Sequence, residues 1–425
     1  MTDEQTIARS ITSIVGADHV LRKPDLKIDC VWPNLLVRPG SADEVAECVK
    51  VCSEADAAVV PAGQMTWLDW GNPLRRGDVV VLSLERMRRI VDYSPPDLTA
   101  TVEAGLTLNE FNAVTAGNRQ WLPLDPPGFK GASLGAIAAC NSSGALRLGF
   151  GSPRDYLIGL QLVHADGTKS KSGGKVVKNV AGYDMNKLYT GSHGTLAILT
   201  ELTFKLRPLP DCSSTIVITT QLNGSLYQLA RRVTGSELQP ASVVLTRRVI
   251  EPLRSEWREA LLVRFNDSAA AVEHQVGWLI QAIDNNHKAT VVSEEEAALI
   301  WAAVADFDQP SIRVRLSVPL SAISLEFEKS TYDHLDCVAA TDAGTGTIRL
   351  AFDADGESAV DQIKRLRACA VGVKGRLTIE KAPTEVRRSA DAWGDVGSSA
   401  ELMRSIKARF DPRSMLNPGK FVLGL

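Results

Sequence analysis

Residues 173–208 read GGKVVKNVAGYDMNKLYTGSHGTLAILTELTFKLRP, and this stretch decides the fold. Its first part is basic and contains glycines, which adopt backbone angles that residues with a Cβ resist. Asp184 can cap a short helix that Gly191 ends, and Gly194 permits a second bend. The apolar run at 196–206 then predicts a buried strand. A glycine turn that enters a buried strand lets main-chain amides approach a ligand, although an ordinary helix–turn–strand joint has the same pattern.

The composition predicts a soluble, cytoplasmic protein of two or more domains. With 425 residues and 44% hydrophobic content, the chain can bury a large core. The net charge of −3 argues against nucleic acid as the main partner. The first residues are acidic and polar, and no apolar run of membrane-spanning length follows them, so no membrane span is expected.

The seven cysteines are odd in number and widely scattered, so we expect reduced thiols rather than a disulfide framework. Cys48 and Cys52 lie one helical turn apart, a spacing that a metal site can use. Both fall on the apolar face of a predicted helix, and no second Cys or His pair completes a site, so we interpret them as core residues. The chain has no Cys-x-x-Cys and is not expected to hold an iron–sulfur cluster itself.

The region before this stretch predicts a β–α–β unit that ends in a glycine loop. Strands are expected at 35–39 and 57–61, and Ser41 with Glu44 forms a capping box for the helix between them. The loop at 61–67, PAGQMTW, can cradle an anion with its N–H groups, or it can be a plain turn. Neither G-x-G-x-x-G nor G-x-x-x-x-G-K-[ST] occurs in the chain.

Three further loops contain small residues at short spacing. They are PLDPPG at 123–128, SLGA at 133–136 and NSSG at 141–144. Their small side chains leave room for something flat or extended to lie against the backbone, or they serve close packing of a helix on a sheet. A hairpin follows, with strands at 157–164 and 169–172 joined across Asp166-Gly167.

Taken in order, these motifs resemble a known flavoprotein family. The series is a Pro-x-Gly loop, Asp-Pro-Pro with Ser-Leu-Gly-Ala, Lys-Asn-Val-Ala-Gly-Tyr-Asp and Gly-Ser-His-Gly-Thr-Leu. It is similar to the FAD-binding (PCMH-type) domain of the vanillyl-alcohol oxidase and p-cresol methylhydroxylase family. Residues 178–184 resemble more closely the FAD-binding subunits of bacterial glycolate oxidases, and 410–420 resemble the family's closing segment. The resemblance covers 31–208 and 400–425.

The resemblance implies an α+β protein built from a two-subdomain FAD-binding domain and an α+β cap. The implied boundaries are an N-terminal helix and connector at 1–30, the FAD-binding domain at 31–208, the cap or substrate domain at 209–375, and a C-terminal segment at 376–425 that returns to pack on the FAD-binding domain. Within the last segment, Leu402, Ile406 and Phe410 have the spacing of an apolar helix face.

The resemblance also implies bound FAD and a set of residues that hold it. The link to FAD is expected to be non-covalent, because the loops at 61–70 and 123–135 contain no Cys or His. Main-chain amides of 61–66 would hold the pyrophosphate, 133–135 would line the opposite side, and Asn417 would return towards the isoalloxazine. The implied cofactor-binding residues are Pro61, Ala62, Gly63, Gln64, Met65, Thr66, Pro126, Ser133, Leu134, Gly135, Asn141, Gly144, Gly182, Gly194, Ile198 and Asn417. Of these, Asn141 and Gly144 would lie further along the cofactor, while Gly194 and the Ile198 region would meet its ribose and adenine end.

One motif of the family is missing. Its hydroxy-acid dehydrogenases show a late His-x-Gly-x-x-Asn-x-His, whose histidines serve a metal and take the substrate proton, a role suited to a group that titrates near neutrality. No histidine follows His334 in this chain. The catalytic residues are therefore unknown at this stage, and no metal ligands are expected. His193, between two glycines, is interpreted as a turn residue that faces solvent.

Two functions are compatible with these observations. The first is the FAD-binding electron-relay subunit of a glycolate-oxidase-like 2-hydroxy-acid dehydrogenase complex, beside a catalytic flavoprotein and an iron–sulfur subunit. In that case the small 2-hydroxy acid is met through a partner, and the complex lies in the cytoplasm or at the inner face of the membrane. The second is a free-standing FAD-dependent dehydrogenase of the D-lactate or glycolate type, with Arg313 or Arg315 as a clamp on the carboxylate. A third alternative is a scaffold that binds no cofactor. The sequence does not determine the substrate or the electron acceptor.

Overall fold

The computed structural model describes residues 3–128, 131–175, 183–222, 224–248, 259–306 and 310–425. The chain forms two compact units: the first contains Met1–Ser142, Ser152–Leu209 and Asp395–Leu425, and the second contains Ser143–Gly151 and Pro210–Gly394. Both units combine helices with sheets, so the α+β class is confirmed. No described helix has the length and apolar character needed to cross a membrane.

The regular elements are as follows. The strands are β1 (Val20–Arg22), β2 (Leu35–Val37), β3 (Ala58–Ala62), β4 (Val79–Ser83), β5 (Ile90–Ser94), β6 (Thr99–Glu103), β7 (Gln120–Trp121), β8 (Leu157–Val163), β9 (Lys169–Gly173), β10 (Ile198–Lys205), β11 (Arg207–Pro208), β12 (Cys212–Thr220), β13 (Ser242–Arg247), β14 (Glu259–Asp267), β15 (His287–Val291), β16 (Ile312–Ser317), β17 (Cys337–Asp342), β18 (Thr347–Phe352) and β19 (Arg376–Lys381). The helices are α1 (Asp3–Val15), α2 (Ala42–Glu54), α3 (Leu108–Thr115), α4 (Leu134–Cys140), α5 (Arg147–Phe150), α6 (Pro153–Tyr156), α7 (Asn186–Tyr189), α8 (Ser225–Thr234), α9 (Ala269–Ala282), α10 (Glu294–Ala305), α11 (Leu325–Thr331), α12 (Gly356–Gly372), α13 (Thr384–Ala390) and α14 (Ala400–Phe410).

The first unit contains two main sheets. One has the order β1-β2-β4-β3, in which β2 and β3 both run parallel to β4, so the predicted β–α–β unit has β4 inserted between its strands. The other is antiparallel with the order β5-β6-β10-β8-β9, and it contains the predicted hairpin as β8 and β9. Ser41 caps α2 by accepting from the amide of Glu44, whose carboxylate accepts from the amide of Gly40.

The buried face of α2 explains the two cysteines. Cys48 and Cys52 are both fully buried with Val45 and Val49, which confirms their interpretation as core residues. Burial raises the pKa of each thiol to about 12, so both stay protonated at neutral pH.

Residues 183–208 contain a short helix, a turn and the central strand of the antiparallel sheet. β10 pairs with β6 on one side and β8 on the other, as its apolar sequence predicts. The predicted cap by Asp184 is wrong, since Met185 precedes α7 and Asp184 forms an ion pair of 2.8 Å with Lys187 instead. Residues 176–182, which include Gly182 and most of the Lys-Asn-Val-Ala-Gly-Tyr-Asp motif, lie outside the described residues.

The second unit is one antiparallel sheet of the order β15-β12-β14-β13-β17-β18-β16-β19. Because side chains alternate along a strand, its two faces pack on different cores. Val243 and Leu245 of β13 contact the core formed with α8, α9 and α12, whereas Val244 contacts a smaller core with Trp301 of α10.

The two units differ from the predicted domains in two places, at 376–394 and at Ser143–Gly151. β19 pairs with β16 inside the large sheet, so residues up to Gly394 belong to the second unit and the return to the first unit begins at Asp395. The segment Ser143–Gly151 also belongs to the second unit, where the amide of Gly149 donates to the carbonyl of Ala241. The sequence pattern there shows only small residues, which fit either unit.

The C-terminal segment is held by a buried lysine and by one end of its predicted apolar helix face. Leu402 of α14 is 64% exposed, whereas Lys407 is buried. Lys407 Nζ donates to Asp411 Oδ2 at 2.6 Å, to the carbonyl of Thr195 at 2.8 Å and to the carbonyl of Leu416 at 3.1 Å. Ile406 and Phe410 are half-buried, and Phe410 packs on the rings of Tyr189 and His164, so the four-residue spacing marks the buried side only at the C-terminal end of α14.

Candidate functional site

The loop after β3 presents free backbone donors. Within the part of the chain that the structure describes, none of the amides of Gly63, Gln64, Met65 and Thr66 donates a hydrogen bond. Met65 has a positive φ of 59°, which turns the loop sharply. Side chains fix the loop from outside, since Gln64 Nε2 donates to the carbonyl of Gly105 at 2.9 Å. Consecutive amides without partners at a turn form an anion-binding concavity.

The start of α4 closes against this loop. Ser133 caps the helix by accepting from the amide of Ala136 at 3.3 Å. A Cβ on Gly63 would lie 1.9 Å from Ser133 Oγ, so only glycine permits this approach. A Cβ on Gly135 would likewise lie 2.8 Å from the carbonyl oxygen of Ala104. The small residues of these motifs therefore serve close packing, and that packing also sets the shape of the loop.

The turn before β10 and the C-terminal tail form the third side. Gly194 has a φ of 66°, and its position lies against Pro61 and Asn417. Asn417 donates through its amide to the carbonyl of Val59 and through Nδ2 to the carbonyl of His193, at 2.9 and 2.8 Å. Asn417 Oδ1 is buried without a hydrogen-bond partner among the described residues. A buried polar atom of this kind calls for a ligand or water, because leaving it unpaired is costly.

These segments enclose a cavity with about 830 Å³ of space free of protein atoms, its mouth included. Apart from His193 and Lys420, the lining is made of apolar and small polar residues. Trp70 also lines it, and its buried Nε1 has no hydrogen-bond partner among the described residues.

Most of the predicted cofactor-binding residues meet at this cavity. Those that line it are Pro61, Ala62, Gly63, Met65, Thr66, Ser133, Gly135, Gly194, Ile198 and Asn417. The structure does not place Gln64, Pro126, Leu134 or Asn141 in the lining; Asn141 instead ends α4 and accepts from the amide of Arg154. Gly144 lies in the second unit, and Gly182 falls outside the described residues.

The interpretation of His193 as a solvent-facing residue is wrong. Its ring is stacked on Phe421 with centroids 5.4 Å apart, and it meets Trp70 edge-on at 5.6 Å. Its side chain is half-buried and lines the cavity. No local pattern around His193 indicates these contacts, because Phe421 comes from the far end of the chain and Trp70 follows the β3 loop.

Two further lining residues were missed. Lys420 contributes a cation, held by Asp29 Oδ2 at 2.9 Å and by the carbonyl of Leu68 at 2.6 Å. Cys140, the last residue of α4, contributes a thiol. The expectation of a non-covalent link depends on the loops at 61–70 and 123–135, which contain neither Cys140 nor His193. The closing motif, which ends in Lys420, was the available signal for the lysine.

The second unit contains a contrasting cluster of charges on one face of its sheet. Arg313 and Arg315 are two residues apart on β16, and Arg349 of β18 lies directly opposite Arg315. Strand periodicity brings all three side chains to the same face, where like charges repel. Glu380 of β19 offsets this repulsion: its carboxylate lies 3.5, 3.7 and 3.4 Å from the Nε atoms of Arg313, Arg315 and Arg349.

The pKa directions follow from this arrangement. Burial alone would raise the pKa of Glu380, but the guanidinium groups of Arg349, Arg315 and Arg313 outweigh it and hold the pKa below its ordinary value. Burial lowers the pKa of Arg315; Glu380 opposes this shift, and neighbouring guanidinium groups add to it. The cluster is therefore a charged core with an excess of cations.

The turn between β17 and β18 matches the missing histidine motif at one position, its glycine. Residues 342–349 read DAGTGTIR. Aligned with His-x-Gly-x-x-Asn-x-His, they keep the glycine as Gly344 but have Asp342 and Arg349 where the histidines stand. Both line one small cavity with Arg147 and Arg315. The spacing to Gly344 was the signal in the sequence that could have located this site.

Asp342 and Arg349 both form hydrogen bonds with neighbouring backbone groups. Asp342 Oδ1 accepts from the amides of Gly344 and Thr345, each at 3.0 Å, and burial raises its pKa to about 6. Arg349 Nη2 donates to the carbonyl of Ser143 at 2.6 Å. In the described part of the chain, no three His, Cys, Asp or Glu side chains are grouped so that they could hold a metal ion.

An apolar cavity edged by unpaired backbone amides, on an α+β fold with a separate large sheet, defines a protein that holds a large phosphorylated cofactor. Comparison with known families identifies the cofactor. A family model described as "FAD binding domain" matches residues 33–172, and one described as "FAD linked oxidases, C-terminal domain" matches residues 390–421.

Known relatives agree with this identification. The chain is 30% identical to glycolate oxidase subunit GlcD of Bacillus subtilis (strain 168), over 91% of this chain and 88% of that protein. It is 34% identical to glycolate oxidase subunit GlcE of Escherichia coli (strain K12), over 37% of this chain and 44% of that protein. The chain therefore belongs to the family of FAD-linked oxidoreductases that includes GlcD.

The fold has solved counterparts. A structure of p-cresol methylhydroxylase with substrate bound superposes with a TM-score of 0.72 at 15% identity, covering 98% of this chain and 96% of that one. At this identity the likeness concerns the fold alone, and it confirms the PCMH-type fold expected from the motifs.

The residues of the first cavity fit FAD on three observations of this structure. The free amides of 63–66 suit phosphate oxygens, the unpaired Asn417 Oδ1 and Trp70 Nε1 suit polar groups of a bound ring or ribose, and the apolar walls suit flat rings.

Proposed function

We propose that this chain is the FAD-binding electron-relay subunit of a glycolate-oxidase-like 2-hydroxy-acid dehydrogenase complex, beside a catalytic flavoprotein and an iron–sulfur subunit. The observation that carries the proposal is Arg349, which stands where the family pattern has its second histidine. A guanidinium group has no free acceptor atom and stays protonated in proteins, so it neither binds a metal nor accepts a proton.

Oxidation of a 2-hydroxy acid needs such an acceptor. When the α-hydrogen leaves as hydride, the hydroxyl proton must leave too, and a positioned base typically contributes about a hundredfold to ten-thousandfold. At the other histidine position, Asp342 Oδ1 already accepts two amide hydrogen bonds from its own turn. This arrangement supports the role of an electron carrier rather than that of a subunit that cleaves the substrate C–H bond.

The first cavity supplies the cofactor site that an electron relay requires. FAD, when bound, accepts an electron pair and passes electrons on to another centre. We infer that the amides of 63–66 bind its pyrophosphate and that Lys420 adds a positive charge near the anionic part. Asn417 orients the cofactor through Oδ1, because its Nδ2 is fixed on the carbonyl of His193.

We infer that FAD is held non-covalently, although Cys140 and His193 line the cavity. His193 is occupied by its ring contacts with Trp70 and Phe421, which supports this inference. Precipitation of the purified protein with trichloroacetic acid should release all of the flavin into the supernatant. Flavin retained in the pellet would contradict the inference, and its loss in a Cys140→Ser variant would identify the linked atom.

The alternative is a free-standing FAD-dependent dehydrogenase of the D-lactate or glycolate type, and a specific observation favours it. Asp342, with its pKa raised to about 6 by burial, shares a cavity with Arg315 and Arg349. A carboxylate with such a pKa can act as a base near neutrality while arginines hold the substrate carboxylate. In this alternative, Asp342 would give up its turn hydrogen bonds.

Anaerobic stopped-flow spectroscopy of the FAD-loaded chain alone separates the two functions. With glycolate, D-lactate and other 2-hydroxy acids, the relay proposal predicts very slow bleaching of the flavin absorbance, and added catalytic partner should restore the rate. Dithionite, which needs no base, should bleach the same sample quickly and so serves as the control. Fast bleaching by any 2-hydroxy acid alone would overturn the relay and favour the dehydrogenase.

The location is part of the same proposal. All seven cysteines are free thiols, which is typical of proteins in a reducing compartment and supports a cytoplasmic location. Attachment to the inner face of the membrane would then depend on the other subunits.

A further inference from the structure

The large sheet of the second unit has an open edge at β15. Among the described residues, β12 is the one strand that pairs with β15, in regular antiparallel register over five residues. The amide of Val292, which follows β15, donates to the carbonyl of Thr215 in β12 at 3.1 Å. Because hydrogen bonding alternates along an antiparallel strand, the amides and carbonyls of Ala289 and Val291 then point away from β12, towards the outside of the sheet.

In the described part of the chain, the other edges of the three main sheets are protected, and the edge at β15 is not. β9 has lysines at alternate positions, β5 has a bulge, and β1 has only three residues. Backbone segments cover β3 and β19, since the amide of Val59 donates to the carbonyl of Met415 and that of Ile379 to the carbonyl of Ala392. β15 has neither proline nor bulge, and Val291 at its end is 51% exposed. An edge of this kind can pair with another strand.

The edge of β15 complements itself when two copies meet antiparallel. With Thr290 at the centre, Ala289 of one copy lies opposite Val291 of the other. Each of these two pairs can exchange two hydrogen bonds, because both residues direct their backbone groups outwards. We propose that β15 pairs in this register with β15 of a second copy of the chain, so that the two large sheets join across a two-fold axis.

The charges beside the strand favour this register. Lys288 of one copy lies opposite Val292 of the other, two residues before Glu294 at the start of α10. Lys288 and Glu294 are both exposed, and neither forms an ion pair with a described residue. A diagonal neighbour two residues along lies within reach of a long side chain, so the pair of copies gains two Lys288–Glu294 contacts.

These contacts favour a second copy over an unrelated strand. The lysine before the strand centre and the glutamate after it match each other only when the same sequence runs in the opposite direction. In a parallel pair of the same register, Lys288 would instead face Lys288 of the second copy, and like charges opposite each other destabilise a pair of strands.

Disulfide trapping in the full FAD-loaded chain tests the register. Thr290 faces Thr290 of the second copy at a position without cross-strand hydrogen bonds, where Cα atoms lie about 4.5 Å apart. A disulfide spans this distance. The Thr290→Cys variant should therefore form a covalent dimer on mild oxidation, seen on a non-reducing gel and lost with reductant.

The matched control for the trapping is Lys288→Cys. In the proposed register its two copies lie four residues apart along the strands, about 13 Å, which is too far for a disulfide. The wild type shows the background from the exposed thiol of Cys30. Absence of a covalent dimer in Thr290→Cys, or equal cross-linking in Lys288→Cys, would overturn the proposal.

Analytical ultracentrifugation with exchanged charges gives a second test. Two short strands bury less surface than a standard interface, so a reversible dimer with a Kd on the order of micromolar is expected. Lys288→Glu and Glu294→Lys should each raise the Kd by about five- to tenfold, because each turns two attractive contacts into repulsive ones. The double variant should restore the wild-type Kd. Lys364→Glu, the same substitution at an exposed position of α12, should leave it unchanged.

The other outcomes of the sedimentation experiment would reject the proposal. A dimer that ignores both single substitutions would use another surface, and a double variant as weak as the single ones would exclude the register. A wild-type chain that stays monomeric would leave the edge to a strand of a different protein. None of these results bears on the relay role, because no residue of β15 lines either cavity.

Discussion

The two cavities of this protein are lined by different kinds of chemical group. The cavity of the first unit is formed by backbone amides, glycines and small side chains, and Lys420 is the one lysine or arginine among its described lining residues. The cavity of the second unit is formed by charged side chains that meet across three strands. The first depends on how closely the backbone segments approach each other. The second depends on electrostatic balance, so the two sites should fail under different substitutions.

The largest effect is expected from the removal of charge in the second unit. Glu380→Gln leaves three buried guanidinium groups facing each other without their shared carboxylate, and should lower the free energy of unfolding by about 3–5 kcal/mol. Urea denaturation followed by circular dichroism measures this loss. Glu357→Gln, the same substitution at an exposed position of α12, should stay within about 0.5 kcal/mol of wild type. An unchanged midpoint for Glu380→Gln would mean that the cluster adds no stability.

In the first unit, adding atoms should be more harmful than removing charge. Gly63→Val places a branched side chain where a Cβ already lies 1.9 Å from Ser133 Oγ, and should displace the loop that offers the free amides. FAD affinity should fall at least about tenfold, measured from the flavin-to-protein absorbance ratio after gel filtration. Gly77→Val is the control, because nothing lies within 4 Å of its added Cβ. Full FAD content in Gly63→Val would place the phosphates elsewhere.

A further effect concerns pH and the second cavity. Burial raises the pKa of Asp342 from 3.8 to about 6, so between these values the folded state holds a proton that the unfolded state has lost. Stability therefore falls as the pH rises through this window, by about 1 kcal/mol for each pH unit. Asp342→Asn keeps the acceptor oxygen for Gly344 and Thr345 but cannot ionise.

Paired urea titrations of wild type and Asp342→Asn from pH 4 to 7 isolate this contribution. The stability difference should grow in favour of the variant up to about pH 6 and then level off. A difference that stays constant across the range would show that the Asp342 carboxyl is ionised as easily as in the unfolded chain.

Local sequence patterns predicted the features that depend on a few neighbouring residues. The cap of α2 by Ser41, the hairpin of β8 and β9 and the sharp loop after β3 each depend on the turn and cap preferences of residues within a short window. The assignment to an FAD-binding family came the same way, because its motifs are short and occur in one order.

Other features depend on residues that are far apart in the chain. Nothing local to Lys407 predicts that it is buried, since its partners Thr195, Asp411 and Leu416 come from two segments. His193 faced solvent in the local interpretation and is half-buried in the structure, because Trp70 and Phe421 enclose it. Each of these outcomes was decided by tertiary contacts.

The sequence by itself determined the elements, the cofactor class and the loss of the histidine motif, because glycine angles, caps and strand periodicity act over a few residues. Only the tertiary structure decided where Arg315, Arg349 and Glu380 meet, since charges interact through space and a strand alone does not show its neighbour. It also assigned Ser143–Gly151 and β19 to the second unit. The physical reason is the same for both: pairing across a sheet is set by the whole fold.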